Sequence, residues 1–212
     1  LWRAPSGALH LKEILDSLKT IYSDKSEEDL LTMLETIQKR PNIYSGHVNS
    51  SRDSSSLAYE AGNQLKKPNG PRVAVFEVGG FDTHAAQGGV DGSHSDSLIK
   101  MDKIFRALKN SLDKEINNTL IVTLTEFGRT VKQNSALGTE HGYGSVIFMG
   151  GGLLKKSHVY TDWPGLKRKN LFEGRDLNST IDSRSVYASA MSAVFDVDFK
   201  LIKKNVFWNE NI

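Results

Sequence analysis

The sequence contains no cysteine. That excludes disulfides, thiolate-bound metal and a cysteine nucleophile, and it is compatible with cytoplasm and periplasm alike. Charge of a single sign is also missing: 27 basic residues face 25 acidic ones, for a net charge of +2. With Lys and Arg scattered along the chain, no field exists to hold a polyanion, and a dedicated nucleic-acid binder is excluded. No apolar run approaches the roughly 20 residues that span a bilayer. Residues 1–7 show no charged-then-apolar export signal. There is no initiating Met, so the start at Leu1-Trp2-Arg3 reads as that of a processed chain or a fragment.

What is present is an ordinary globular composition, 38% apolar and 25% charged over 212 residues. This suffices for one domain with a core, or a small domain plus an appendage. The first third predicts helices. Leu11, Ile14, Leu15, Leu18, Ile21 and Tyr22 recur at the helical period. Ser26 then caps a second helix carrying Leu30, Leu31, Leu34 and Ile37, which Pro41 ends. A polar loop follows over residues 42–56, and Leu57, Ala58, Ala61 and Leu65 mark a third helix. Pro68, Asn69, Gly70 and Pro71 are strong punctuation. Residues 1–71 therefore predict a helical segment, an insertion or a cap, and residues 72–212 a separate α/β domain.

Within that second part, residues 73–78 are mostly apolar and closed by Gly79-Gly80, as expected of a buried strand. Leu98, Met101, Ile104, Phe105, Leu108, Leu112 and Ile116 predict a long amphipathic helix, and residues 119–124 a second strand. A strand, a helix and a strand in succession imply parallel pairing. Residues 145–149 predict a third strand of open pairing. Asp182 caps a last helix expected to bury Val186, Tyr187, Ala190, Met191, Val194 and Phe195.

Parallel strands end at one edge of their sheet, where α/β proteins place ligands. Asp82 and His84 follow the first strand, Glu126 and Arg129 the second, and His141 lies in the next loop. Two carboxylates and two imidazoles suit Zn, Mn or Fe, while ions that prefer thiolates are disfavoured. Such an ion polarises an ester oxygen and acidifies a bound water, and Arg129 can grip an oxyanion. Each residue also has a plainer reading. Asp82 can make a turn, Glu126 can pair with Arg129 three residues on, and His141 can bond backbone. His10, His47, His94 and His158 have weaker claims, and the coincidence of three loops carries the metal reading.

The motifs Gly79-Gly80-Phe81-Asp82-Thr83-His84 with Gln87, Glu126-Phe127-Gly128-Arg129-Thr130, Asn134, Gly138-Thr139-Glu140-His141-Gly142, Gly165-Leu166 and Arg175-Asp176-Leu177 carry a resemblance. Over residues 72–198 the chain resembles the domain of unknown function 1501 (DUF1501) family, which is similar to alkaline phosphatases and sulfatases. The resemblance implies an alkaline-phosphatase-like α/β/α sandwich with a mostly parallel sheet and a rim for two divalent ions. Asp82 and His84 would serve one ion, Glu126 the other, with His141 closing the cluster. Glu140 stands where the family usually has Asp, so it is not counted as a ligand.

Family members are about twice this long and open with a strand and a Gly-Gly-x-Asp-Gly motif absent here. The superfamily draws its remaining ligands and its Ser or Thr nucleophile from that region. The chain thus reads as the C-terminal half of such a protein, its site incomplete, with Thr83 and Thr125 as the nearby hydroxyls that could substitute for the missing nucleophile. The expected function is metal-dependent hydrolysis of small-molecule or polymeric phosphate or sulfate esters, with Arg129 on the oxyanion. The rival is a non-catalytic binding or assembly module at the cell envelope. Export of the parent protein to the periplasm is what the resemblance implies.

Overall fold

The computed structural model describes residues 53–208 and 211–212. The two helices expected before Pro41, together with His10 and His47, lie outside these residues. The chain divides into two compact units; one comprises Ser54–Arg72 and Glu77–Ile212, and Val73–Phe76 falls in the other.

In the larger unit, α1 (Ser54–Leu65) packs against the long α2 (Ser93–Leu112). The contact is made by small residues on one side, Ala58, Ala61 and Gly62, and by Ile104, Leu108, Ser111 and Leu112 on the other. Gly62 is required there, because a Cβ at that position would lie 1.9 Å from Ser111 Oγ. Each of Ile104, Leu108 and Leu112 contributes about 1.5–3 kcal/mol by leaving water. The helix stops where Asp113 adopts φ 51°, and a 3-10 turn, Asp113–Asn118, leads into β1 (Ile121–Val122). No helix among the described residues is long and apolar enough to cross a membrane.

Four two-residue strands follow the helices. They are β1, β2 (Gly128–Arg129), β3 (His141–Gly142) and β4 (Met149–Gly150). β1 pairs antiparallel with β4, Ile121 opposite Gly150 and Val122 opposite Met149. Thr123 N–H prolongs the pairing by donating to Phe148 O at 3.0 Å. β2 pairs antiparallel with β3, Gly128 opposite Gly142 and Arg129 opposite His141. The expected second strand is thus present but shorter. It takes as partner the returning segment, which runs in the opposite direction, so no parallel ladder forms among the described residues. Residues 73–78 are not among these strands, and none of the six is buried. A two-sided apolar strand becomes buried only when other strands flank both its edges and layers cover both its faces.

α3 (Ser183–Phe195) begins at Asp182 as expected, with Arg184 N–H donating to its Oδ1 at 2.9 Å. Only Ala188 of this helix is buried; Val186, Tyr187, Ala190 and Met191 are half-buried and Val194 and Phe195 are exposed. A short α4 (Phe199–Asn205), capped by Asp198, packs against α3. Hydrogen bonding from Arg184 outweighs the opposing effect of burial and holds the Asp182 carboxyl below its ordinary value. The cap therefore stabilises fully above the ordinary carboxylate range and loses its effect as pH falls through the lowered native value. Asp182→Ala is expected to cost about 0.5–2 kcal/mol at neutral pH. That difference should shrink in urea unfolding carried out below pH ~3.9, where the unfolded-state carboxyl is protonated.

Candidate metal centre

The β2–β3 ladder places Arg129 and His141 opposite one another, so their side chains project from the same face of the pair. The segment after Gly79-Gly80 lies alongside. Ala85 bridges Leu137, and the N–H groups of Ala86, Gln87 and Thr139 donate to Ala136, Leu137 and Thr83 oxygens at 2.9, 2.9 and 3.1 Å. α2 anchors the start of this segment, with Ser97 Oγ 2.7 Å from Gly80 O and Lys100 Nζ 3.2 Å from Gly79 O. Asn134 clamps the opposite loop. Its Oδ1 accepts from Ala136 and Gly138 N–H, and its Nδ2 donates to His84 O at 2.9 Å. Gly138 is needed at this crossing, since a Cβ there would sit 2.2 Å from the His84 carbonyl carbon.

The result is a convergence of three ligand atoms. His84 Nε2 lies 3.0 Å from Asp82 Oδ1, His141 Nε2 lies 3.1 Å from the same oxygen, and the two Nε2 atoms are 3.2 Å apart. This is a nearly equilateral triangle. Ligands about 2.0–2.1 Å from a tetrahedral ion are separated by about 3.3–3.4 Å, so the triangle is a slightly contracted metal site. The three side chains are 56%, 43% and 51% exposed for Asp82, His84 and His141, which leaves one side of the triangle open.

Glu140 fixes the chemistry of His84. Its Oε2 lies 3.0 Å from His84 Nδ1, so Nδ1–H donates to the carboxylate and Nε2 is the nitrogen turned to the triangle. Asp82 Oδ1 and the two Nε2 atoms converge on one point, where a cation would take all three as ligands. The donor set therefore fits a divalent ion. Phe127 stacks on His141, with ring centroids 3.8 Å apart and planes at 21°, and sets the orientation of that imidazole.

Arg129 donates through Nη1 to Asp82 Oδ1, through Nε to Thr139 Oγ1 at 3.0 Å and through Nη2 to Thr139 O. Burial pushes the Asp82 carboxyl up, but the hydrogen bond from Arg129 and then the charges of His84, His141 and Arg129 leave it below its ordinary value. Hydrogen bonds from Asn134 and His84 lower Glu140 likewise. Both groups are thus anionic at neutral pH, as a cation site requires.

Not every expected residue arrives. Glu126 is exposed, lies outside the cluster and does not pair with Arg129, whose guanidinium is taken by Asp82. Among the described residues no second group of potential ligands forms. Thr83 is buried and donates to Gln87 Oε1 at 2.8 Å, while the exposed Thr125 hydroxyl lies 3.0 Å from Ser145 Oγ. His94 packs edge-on against Phe81, and His158 against Tyr160. Glu140, Asn134 and Phe127, which stood in the motifs without being expected as ligands or catalytic groups, touch the site as well. Asp176 is 2% exposed and accepts from Arg175 Nη2 at 2.8 Å. Thr130 pairs with it through the backbone, and Arg175 Nη2 also reaches His141 O at 3.4 Å.

These motifs place the chain in a class of proteins. The family model described as Protein of unknown function (DUF1501) matches residues 65–204. The chain belongs to that family. No curated protein and no solved structure matches it.

Proposed function

We propose that this protein is a metal-dependent hydrolase of phosphate or sulfate esters, built on the alkaline-phosphatase-like frame that its motifs imply. The observation that supports this reading is the triangle of Asp82 Oδ1, His84 Nε2 and His141 Nε2, with separations of 3.0, 3.1 and 3.2 Å and one open side. Three protein ligands and a free position are the pattern of a catalytic site, whereas structural sites are closed by a fourth ligand. Zn, Mn or Fe bound there would supply a Lewis acid for the ester oxygen and lower the pKa of a bound water.

The chain's own residues have separate tasks in this reading. Asp82, His84 and His141 hold the ion, Glu140 keeps His84 in the binding tautomer, and Phe127 holds the plane of His141. Arg129 holds Asp82 and has further N–H donors for an oxyanion beyond those engaged with Asp82 and Thr139. A binding or assembly module at the envelope is the second reading, favoured by the burial of Thr83, which removes that hydroxyl from the list of nucleophiles.

The test is elemental mass spectrometry of the full chain purified without chelator, followed by assay on aryl phosphate and aryl sulfate esters before and after metal removal. Stoichiometric metal that chelator removes is the expected outcome for this chain, and chelator-sensitive turnover of one ester is expected only when the nucleophile-bearing region that the resemblance implies is present. Metal without turnover when that region is present moves the module reading ahead, and absence of metal overturns the centre itself.

A further inference from the structure

Gln87 belongs to the same motif as Asp82 and His84 but touches neither. Its Oε1 lies 2.8 Å from Thr83 Oγ1 and 2.8 Å from Thr139 Oγ1, two hydroxyls that are both buried. Arg129 Nε is a donor only, so at 3.0 Å it obliges Thr139 Oγ1 to accept. The Thr139 proton goes to Gln87 Oε1, which accepts from Thr83 Oγ1 as well. One end of the chain is thereby a fixed carbonyl on the loop of the ligands, and the other is Arg129, whose Nη1 donates to Asp82 Oδ1.

We propose that Gln87 is a positioning residue for the Asp82, His84 and His141 centre, acting through Thr139 on Arg129 and through Arg129 on the Asp82 carboxylate. The inference rests on the metal reading above and adds to it. A guanidinium held at Nε by Thr139 Oγ1 and at Nη2 by Thr139 O cannot swing, so its Nη1 meets Asp82 at one angle only. Without the acceptor at Gln87, the Thr139 hydroxyl is free to rotate and to offer its proton elsewhere, and the Nε anchor is lost. Asp82 then samples rotamers that leave the triangle. Buried polar chains of this kind act as units, and breaking any link has nearly the effect of breaking all.

The experiment is Zn affinity of the full chain by competition with a chromophoric chelator. Gln87→Met is expected to weaken binding by about 10–100-fold, the usual loss when an outer-shell partner of a ligand is removed. Gln87→Glu keeps the acceptor and is expected to restore most of the affinity, a rescue that a merely structural role would not give. Thr139→Val should match Gln87→Met, and the double variant should be no worse than either. A readout independent of metal is the Arg129 Nε–H resonance, expected to be protected from exchange in the wild type and unprotected in Gln87→Met. Wild-type affinity in Gln87→Met, or additive losses in the double variant, overturns the assignment of Gln87 and leaves the centre standing. Failure of the wild type to bind any divalent ion overturns the centre, while the Arg129 resonance still reports whether Gln87 fixes the guanidinium.

Discussion

His84→Ala is expected to lower divalent-metal affinity by at least a hundredfold while leaving the α1–α2 core intact. Closed Zn sites bind with about 10–16 kcal/mol, so each ligand of such a set accounts for about 3 kcal/mol, near a hundredfold in affinity. His84 does more than offer one nitrogen, because its imidazole is the side-chain link between Glu140 and the triangle. The core helices lie elsewhere, with Ile104, Leu108 and Leu112 packed on Ala58 and Ala61, so thermal unfolding of the metal-free variant should match that of the metal-free wild type. Glu126→Gln is the matched control. Exposed and outside the cluster, it should bind the first ion as the wild type does. Isothermal titration with Zn, beside both variants, checks the pair of expectations. An equal loss for Glu126→Gln would show that one ion is shared across both loops.

The second large effect is expected at a residue with no side chain. In Gly138→Ala the new methyl would overlap the His84 carbonyl carbon at 2.2 Å and its oxygen at 2.3 Å, distances that only a backbone shift can relieve. Both partners are main chain, so no rotamer change absorbs the clash. Overpacking of this type costs about 1–3 kcal/mol. The shift also pulls apart the segment carrying Asp82 and His84 from the one carrying Glu140 and His141. Loss of metal binding together with a lowered melting temperature is the expected result, read by calorimetry with and without Zn. Ser135→Ala, in the same loop, provides the baseline.

The candidate ligands were legible because histidine is scarce in this chain, with six in all, and one of the six stands two residues from Asp82 in a Gly-rich motif. Asp82, His84 and His141 stand out in a chain with no cysteine, and the structure brings these three together. The means by which they meet was not legible. The sequence pointed to the edge of a parallel sheet, whereas the described residues join the loops through a two-residue antiparallel ladder and the Ala85–Leu137 bridge. Periodicity cannot register so short a pairing, because the period-2 signal needs several alternations to rise above chance. Glu126 shows the converse. Its type and spacing resemble those of a ligand, yet position along the chain does not fix which way an exposed side chain points.

The helices divide along the same line. α2 declares itself over 20 residues, and Asp182 declares the start of α3 through a local bond that depends on its neighbours alone. Which face of α3 is covered depends on distant segments. The apolar positions Val194 and Phe195 are exposed for that reason, and the small Ala188 is the one enclosed. Gln87 and Thr139 were invisible as functional residues because their effect passes through hydrogen-bond direction, a property with no signature in residue type.

The pairing of Arg129 with His141 sets a limit on how this gene can change length. Because the side-chain period of a strand is two, adding or deleting one residue next to β2 or β3 would turn either the guanidinium or the imidazole to the opposite face. The stretch between the strands is under no such rule as far as Lys132 and Gln133, which are exposed and lie before the Asn134 clamp. Natural or engineered insertions should therefore accumulate at 132–133 and be absent from 128–130 and 138–142. A library of single-residue insertions, sorted for retained metal, would draw that boundary directly on the sequence.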